Sequence, residues 1–92
     1  MLEKEIVRRI KIALVDRGCH VVKIHGSPAL AGVSDLLCCY RGRFYALEVK
    51  RPETRGNVTA RQQAFLDGVE AAGGVSAVVV SVMEAVAVIE GY

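Results

Sequence analysis

Two carboxylates and an ammonium group stand out as the side chains able to do chemistry: Asp35, Glu48 and Lys50. They fall in two strand-like runs, 34–40 and 43–50, joined by Arg41-Gly42. A two-residue connection of this kind closes a tight hairpin, although arginine is not the usual first residue. With Arg41-Gly42 as the loop, Tyr40 faces Arg43, and counting outward along both arms sets Asp35 directly opposite Glu48. Opposed residues on one face have Cβ atoms about 4.5–5.5 Å apart, and like charges so placed are unfavourable unless something positive lies between them. A divalent cation resolves that conflict.

Side chains alternate along a strand, so Glu48 and Lys50 share one face while Leu47 and Val49 point to the other. Hard oxygen ligands with open positions suit Mg²⁺ or Mn²⁺, which lower the pKa of a bound water and neutralise charge on a phosphoryl oxygen. Lys50 would orient that water or hold a phosphate. The plainer alternative is a pair of solvated hairpin carboxylates matched to a nearby Arg or Lys. The neighbours argue against it: Leu36-Leu37-Cys38-Cys39-Tyr40 and Phe44-Tyr45-Ala46-Leu47 are apolar on both faces, the pattern of central strands.

The elements that would position this hairpin follow from periodicity. From Leu2 to Asp16, the apolar residues Leu2, Ile6, Ile10, Ala13 and Leu14 recur at helical spacing, and Arg17-Gly18 supplies a stop. His20 to Ile24 is short and valine-rich, as in a strand, and a small-residue loop runs through Gly26-Ser27-Pro28 to Gly32, where a substrate could approach closely. After the hairpin, the polar stretch 52–57 is a surface loop. Thr59-Ala60-Arg61-Gln62 fits a capping box, and Phe65, Leu66, Val69 and Ala72 continue a second helix to Gly73-Gly74. The run 75–80 is β-branched and continuous, as in a buried strand. Residues 82–89 fit either a strand or a helix, and Met83, Glu84, Ala85 and Ala87 tilt the choice to helix. The predicted order is α-β-β-β-α-β-α, an α/β fold, with residues 1–92 forming a single domain.

Composition narrows the function classes. A chain of 92 residues, 52% hydrophobic, has room for one core without metal or disulfide staples. A domain of this size buries only about 60% of the surface its unfolded chain exposes, which makes a second copy a natural cover for any further apolar face. Twelve basic and ten acidic residues give a net charge of +2, too even to imply nucleic-acid binding by total charge. The positive charge is concentrated, however, with no Lys or Arg from residue 62 onward. Cys19, Cys38 and Cys39 lack zinc-type spacing and read as small core residues, and a thiol function for Cys38-Cys39 is disfavoured because adjacent strand residues point to opposite faces. No signal-peptide pattern opens the sequence and no apolar run reaches about 18 residues, so no membrane association is expected and the expected location is the cytoplasm.

Three motifs resemble a known family: Gly32-Val33-Ser34-Asp35, Leu47-Glu48-Val49-Lys50 and Thr59-x-x-Gln62 are similar to the G-x-P-D, E-V-K and S/T-x-x-Q pattern of VRR-NUC (virus-type replication-repair nuclease) domains. The match spans nearly the whole chain. Through it, the order of elements is similar to that of Holliday-junction resolvases and other restriction-endonuclease-like, PD-(D/E)xK proteins, which implies a central mixed β-sheet flanked by helices. The resemblance implies a metal site of Asp35, Glu48 and the Val49 main-chain carbonyl, completed by an acid on the first helix, for which Glu5 is the closer match and Glu3 the competitor. It also implies a site role for Gln62, with Gln63 adjacent, while the capping box explains Gln62 equally well. One departure is Ser34, where the family carries proline; this bears on local backbone shape rather than on ligands.

The function expected from these readings is Mg²⁺- or Mn²⁺-dependent DNA phosphodiester hydrolysis. Asp35, Glu48, Lys50, Glu5 and Gln62 would form the site, and Arg8, Ser27, Arg51, Arg55 and Arg61 would contact DNA phosphates. The resemblance further implies a phage or mobile-element origin, hence a bacterial host cytoplasm and a role in DNA repair, and a homodimer acting on branched DNA such as Holliday junctions, with two sites related by symmetry. No base-reading element is recognisable, which points to recognition of shape and backbone. His25 is a weaker phosphate contact beside Ser27. The competing reading is a non-catalytic nucleic-acid-binding module with a nuclease fold, or a nuclease subunit that needs a larger partner.

Overall fold

In the computed structural model, which describes residues 1–91, helix α1 (Glu3–Asp16) buries Ile6, Val7, Ile10 and Leu14 along one stripe. It stops where Gly18 takes a φ of +92°, a left-handed conformation open to glycine without a Cβ clash. Strand β1 (His20–Lys23) follows, then a loop containing a short 3-10 turn at Pro28–Leu30. Strands β2 (Leu36–Tyr40) and β3 (Arg43–Val49) form the predicted hairpin; Ser34 and Asp35 stand just before it and Lys50 just after. A second 3-10 turn at Pro52–Thr54 leads to α2 (Ala60–Ala71), β4 (Val75–Val79) and α3 (Val82–Glu90). The order is the predicted one, and the ambiguous run after residue 81 is a helix. Its start is fixed by Ser81, whose Oγ accepts from the Glu84 N–H at 3.1 Å.

The four strands form one mixed sheet in the order β1-β2-β3-β4, antiparallel between β1, β2 and β3, and parallel between β3 and β4. Parallel pairing requires a crossover, and α2 supplies it. Alternation then sorts the side chains. Leu36, Cys38, Tyr45, Leu47, Val49, Val75 and Val79 join the main core with the buried faces of α1 and α3. The Tyr45 hydroxyl crosses that core to donate to the Ile89 carbonyl at 3.3 Å. On the opposite face of the sheet α2 lies over β3 and β4, burying Leu66. The fold is thus three layers, with Glu48 on the α2 side, within the layer that excludes water.

Candidate active site

The hairpin ladder pairs Tyr40 with Arg43 and runs without a bulge to Leu36 opposite Leu47. The ladder ends there, and Asp35 follows as a bend one residue beyond, beside the Glu48–Val49 segment. The Asp35 backbone is held from the outer side, where its carbonyl accepts from the Ile24 N–H at 2.9 Å. Its carboxylate is held from the inner side, with Oδ2 accepting from the Val49 N–H at 2.7 Å. The N–H and C=O of one strand residue emerge on the same edge. The Val49 carbonyl therefore opens toward Asp35, the orientation its expected role as a ligand needs.

Glu48 is only 3% exposed. Its Oε2 accepts from Gln62 Nε2 at 3.2 Å and lies 3.9 Å from Lys50 Nζ, while Oε1 is buried with no hydrogen-bond partner. Burial pushes the Glu48 carboxyl up to about 8, helped by the hydrogen bond and charge of Asp35 and by the charge of Glu3, and opposed by Lys50. Glu48 is therefore mainly protonated at neutral pH. A buried acceptor without a partner is costly unless a proton or a cation meets it. The donor set of two carboxylates and a main-chain carbonyl consists of hard oxygens, so the residues present fit a small divalent ion.

Gln62 caps its helix and contacts Glu48 with one side chain. Its Oε1 accepts from the Thr59 N–H at 2.9 Å while the Thr59 Oγ1 accepts from the Gln62 N–H at 3.1 Å, a complete capping box. With the amide oxygen thus committed to the cap, the NH₂ group must face Glu48. Gln63 pairs instead with Asp67 at 2.8 Å and lies apart from the carboxylates.

Of the two candidate acids on the first helix, neither is gathered into one ligand set with the pair. Successive helix residues turn by about 100°, so Glu3 and Glu5 point in nearly opposite directions. Glu3 is the acid whose charge acts on Glu48, whereas Glu5 lines a groove with Lys4, Val7, Arg8, Lys11 and Lys23. Among the described residues no three His, Cys, Asp or Glu side chains gather into one ligand set, so Glu5 is not brought to the pair and Glu3 approaches without joining it. The signal for Glu3 was present only as a position in the first helical turn, which the sequence shares with Glu5.

The expected phosphate contacts divide. Arg51 is paired with Glu53 at 3.4 Å and Arg55 with Glu84 at 2.6 Å, the latter holding the Glu84 carboxyl below its usual range. Arg8 and Arg61 are exposed and, among the described residues, unpaired, and Ser27 and His25 are exposed in the loop before β2. The same loop makes a close approach at Gly32. Its φ is +88°, and a Cβ there would fall 2.9 Å from the Arg61 Cβ and carbonyl oxygen, so only glycine lets this loop seat on the start of α2. Ser34 is fully buried, its Oγ donating to the Leu36 carbonyl at 3.4 Å. Cys38 is buried and its thiol is pushed up to about 12 by burial, while Cys39 is exposed on the opposite face, so the pair has no joint chemistry.

A mixed sheet with helices on both faces, a carboxylate pair at the mouth of its central hairpin and a lysine two residues on define an α/β domain of nuclease-type fold. Among solved structures, one described as a VRR_NUC domain superposes with a TM-score of 0.78 at 25% sequence identity, covering 98% of this chain and 96% of that chain. The fold is that of a VRR-NUC domain, as the motif resemblance implied. No family model matches the sequence, and no curated protein is similar to it in sequence. Among the described residues no helix is long and apolar enough to cross a membrane.

Proposed function

We propose that this chain is a Mg²⁺- or Mn²⁺-dependent, structure-specific endodeoxyribonuclease that acts as a homodimer on branched DNA. The observation that carries the reading is the Asp35–Glu48 pair with the buried, partnerless Glu48 Oε1 between them. Asp35, Glu48 and the Val49 carbonyl would hold the ion, with Glu3 better placed than Glu5 to act at longer range. When bound, the ion supplies Lewis-acid polarisation of a phosphoryl oxygen and activation of water. Lys50 presents an ammonium on the same face to hold the scissile phosphate. Gln62 fixes the Glu48 rotamer, and the Val49 N–H fixes that of Asp35, so both carboxylates are set before substrate arrives. The apolar surface of Phe44, Phe65, Val69 and Ala72 beside α2 supports pairing with a second copy.

The second reading, a binding module or a subunit needing a partner, draws on one observation: no third acid closes the ligand set. One experiment separates the two. Labelled four-way junction, flap, duplex and single strand are incubated with Mg²⁺, Mn²⁺ or EDTA and with wild type or Asp35→Ala. Metal-dependent, paired nicking of the junction, lost in Asp35→Ala, is the expected result. Binding without cleavage under every metal condition would sink the nuclease reading and leave the binding module. Analytical ultracentrifugation of the same protein reports the dimer.

A further inference from the structure

Helix α1 carries Lys4, Arg8 and Lys11 at i, i+4 and i+7, the spacing that stacks side chains along one helical face. Lys23, at the end of the outermost strand, joins them to line an open groove of about 400 Å³ whose single acid is Glu5. Four cations against one carboxylate leave a local surplus of three positive charges in a molecule whose total is only +2. Among the described residues none of these four cations is in an ion pair, whereas Arg17, Arg51 and Arg55 each have a carboxylate partner. Four unpaired cations held side by side repel one another and are relieved by a polyanion.

The position of the groove gives it a direction. Lys23 is paired with Leu36, the residue after Asp35, and the next residue, Ile24, donates its N–H to the Asp35 carbonyl. Lys4 follows Glu3, whose charge reaches Glu48. The near end of the groove thus borders the backbone of the segment that carries Asp35, and Arg8 and Lys11 extend it away. From Lys4 to Lys11 the helix rises about 10 Å at 1.5 Å per residue. That is comparable to three steps of roughly 3.4 Å along one DNA strand.

We propose that the α1–β1 groove of Lys4, Arg8, Lys11 and Lys23 seats the phosphates of one DNA strand along the edge of the sheet, beside the end of β1 that borders the Asp35 segment. The identity of the ligand rests on the nuclease reading; the groove and its free cations do not. It replaces Arg51 and Arg55, which are already paired, as the main backbone contact. An edge-strand lysine also discourages strand pairing between molecules, but that accounts for Lys23 alone and not for three aligned cations beside it.

The test uses full-length Asp35→Asn in EDTA, which keeps an acceptor for the Val49 N–H and removes cleavage. Binding of a fluorescent four-way junction and of matched duplex is measured against salt for this parent and for two double variants of equal charge loss. One is Lys11→Gln/Lys23→Gln; the other is Arg41→Gln/Arg43→Gln at the far hairpin turn. Thermal melts verify that both fold. Each phosphate contact removed lowers the slope of log K against log salt by about one, so the groove double should lose about two and the turn double close to none. Equal losses in both doubles, or none in either, overturn the groove while leaving DNA binding intact. A parent that binds no DNA at low salt overturns the nuclease reading and the groove with it.

Discussion

Glu48 concentrates the physical tension of the molecule in one side chain. Its carboxyl is raised from 4.5 to about 8 by burial and by Asp35, so the folded state holds a proton that the unfolded chain releases. The sign follows directly: the stability associated with that proton is fully present below pH 4.5 and is lost as pH rises toward 8. Chemical denaturation in EDTA should show stability falling across that window by up to about 1.4 kcal/mol per pH unit, and Glu48→Gln should flatten the profile. A rising or flat wild-type profile would show that Glu48 is not the buried acid described. Because the proton and a cation compete for the same oxygen, Mn²⁺ affinity should increase from pH 6 to 8 with proton release measurable by calorimetry in buffers of different ionisation enthalpy. Lys50→Ala should lower turnover roughly 10²-fold with little effect on stability, since the ammonium stabilises developing charge rather than packing. At this scale the sequence revealed the neighbouring carboxylates, because hairpin register is arithmetic. It did not reveal the Arg55–Glu84 pair, because its partners are 29 residues apart and meet only through the packing of α3 against the sheet.

Among the elements, the loop before β2 and the start of α2 are the pieces that lock Asp35 and Gln62 into one geometry. Gly32→Ala adds a methyl where Arg61 backbone and a left-handed φ both forbid it, and should cost about 1–3 kcal/mol with loss of activity. A melting temperature unchanged by that substitution would mean the loop is not seated as described. Arg41 offers the opposite case: it is a non-glycine residue at φ +51° in the two-residue turn, eased by its guanidinium lying 5.1 Å from the Tyr40 ring centroid. Arg41→Asn should raise stability by about 0.5–1 kcal/mol, read by denaturant midpoint, with cleavage unchanged. The first two helices could be read from helical periodicity, and the strands from short valine-rich or continuous apolar runs bounded by turn residues. The run 82–89 fitted either state, since apolar residues fall at nearly every position, although Ser81 with Glu84 three residues on already marked a helix start. The first-helix acid was undecided for a related reason: two glutamates in one helical turn differ only in azimuth, and azimuth is set by how α1 docks.

For the whole molecule, the proposed metal site would couple binding to folding, because Asp35 and Glu48 lie on different arms of the hairpin and meet only in the folded sheet. Saturating Mn²⁺ at about 100 times its dissociation constant should stabilise the protein by about 2.7 kcal/mol, and Asp35→Ala should remove that gain while leaving the metal-free melt close to wild type or above it. An equal metal response in both proteins would place the ion elsewhere. The unbroken ladder from the Arg41-Gly42 turn to Leu36 and Leu47, the neighbours of the two carboxylates, has a consequence for descent. The hairpin acts as a ruler: a residue added to the turn can be absorbed as a bulge, but one inserted in either arm reverses the parity of every position beyond it and sends one carboxylate to the wrong side of the sheet. What inheritance would have to keep in this chain is a count of residues more than their identity, so among relatives the lettering should drift further than the spacing between Asp35 and Glu48.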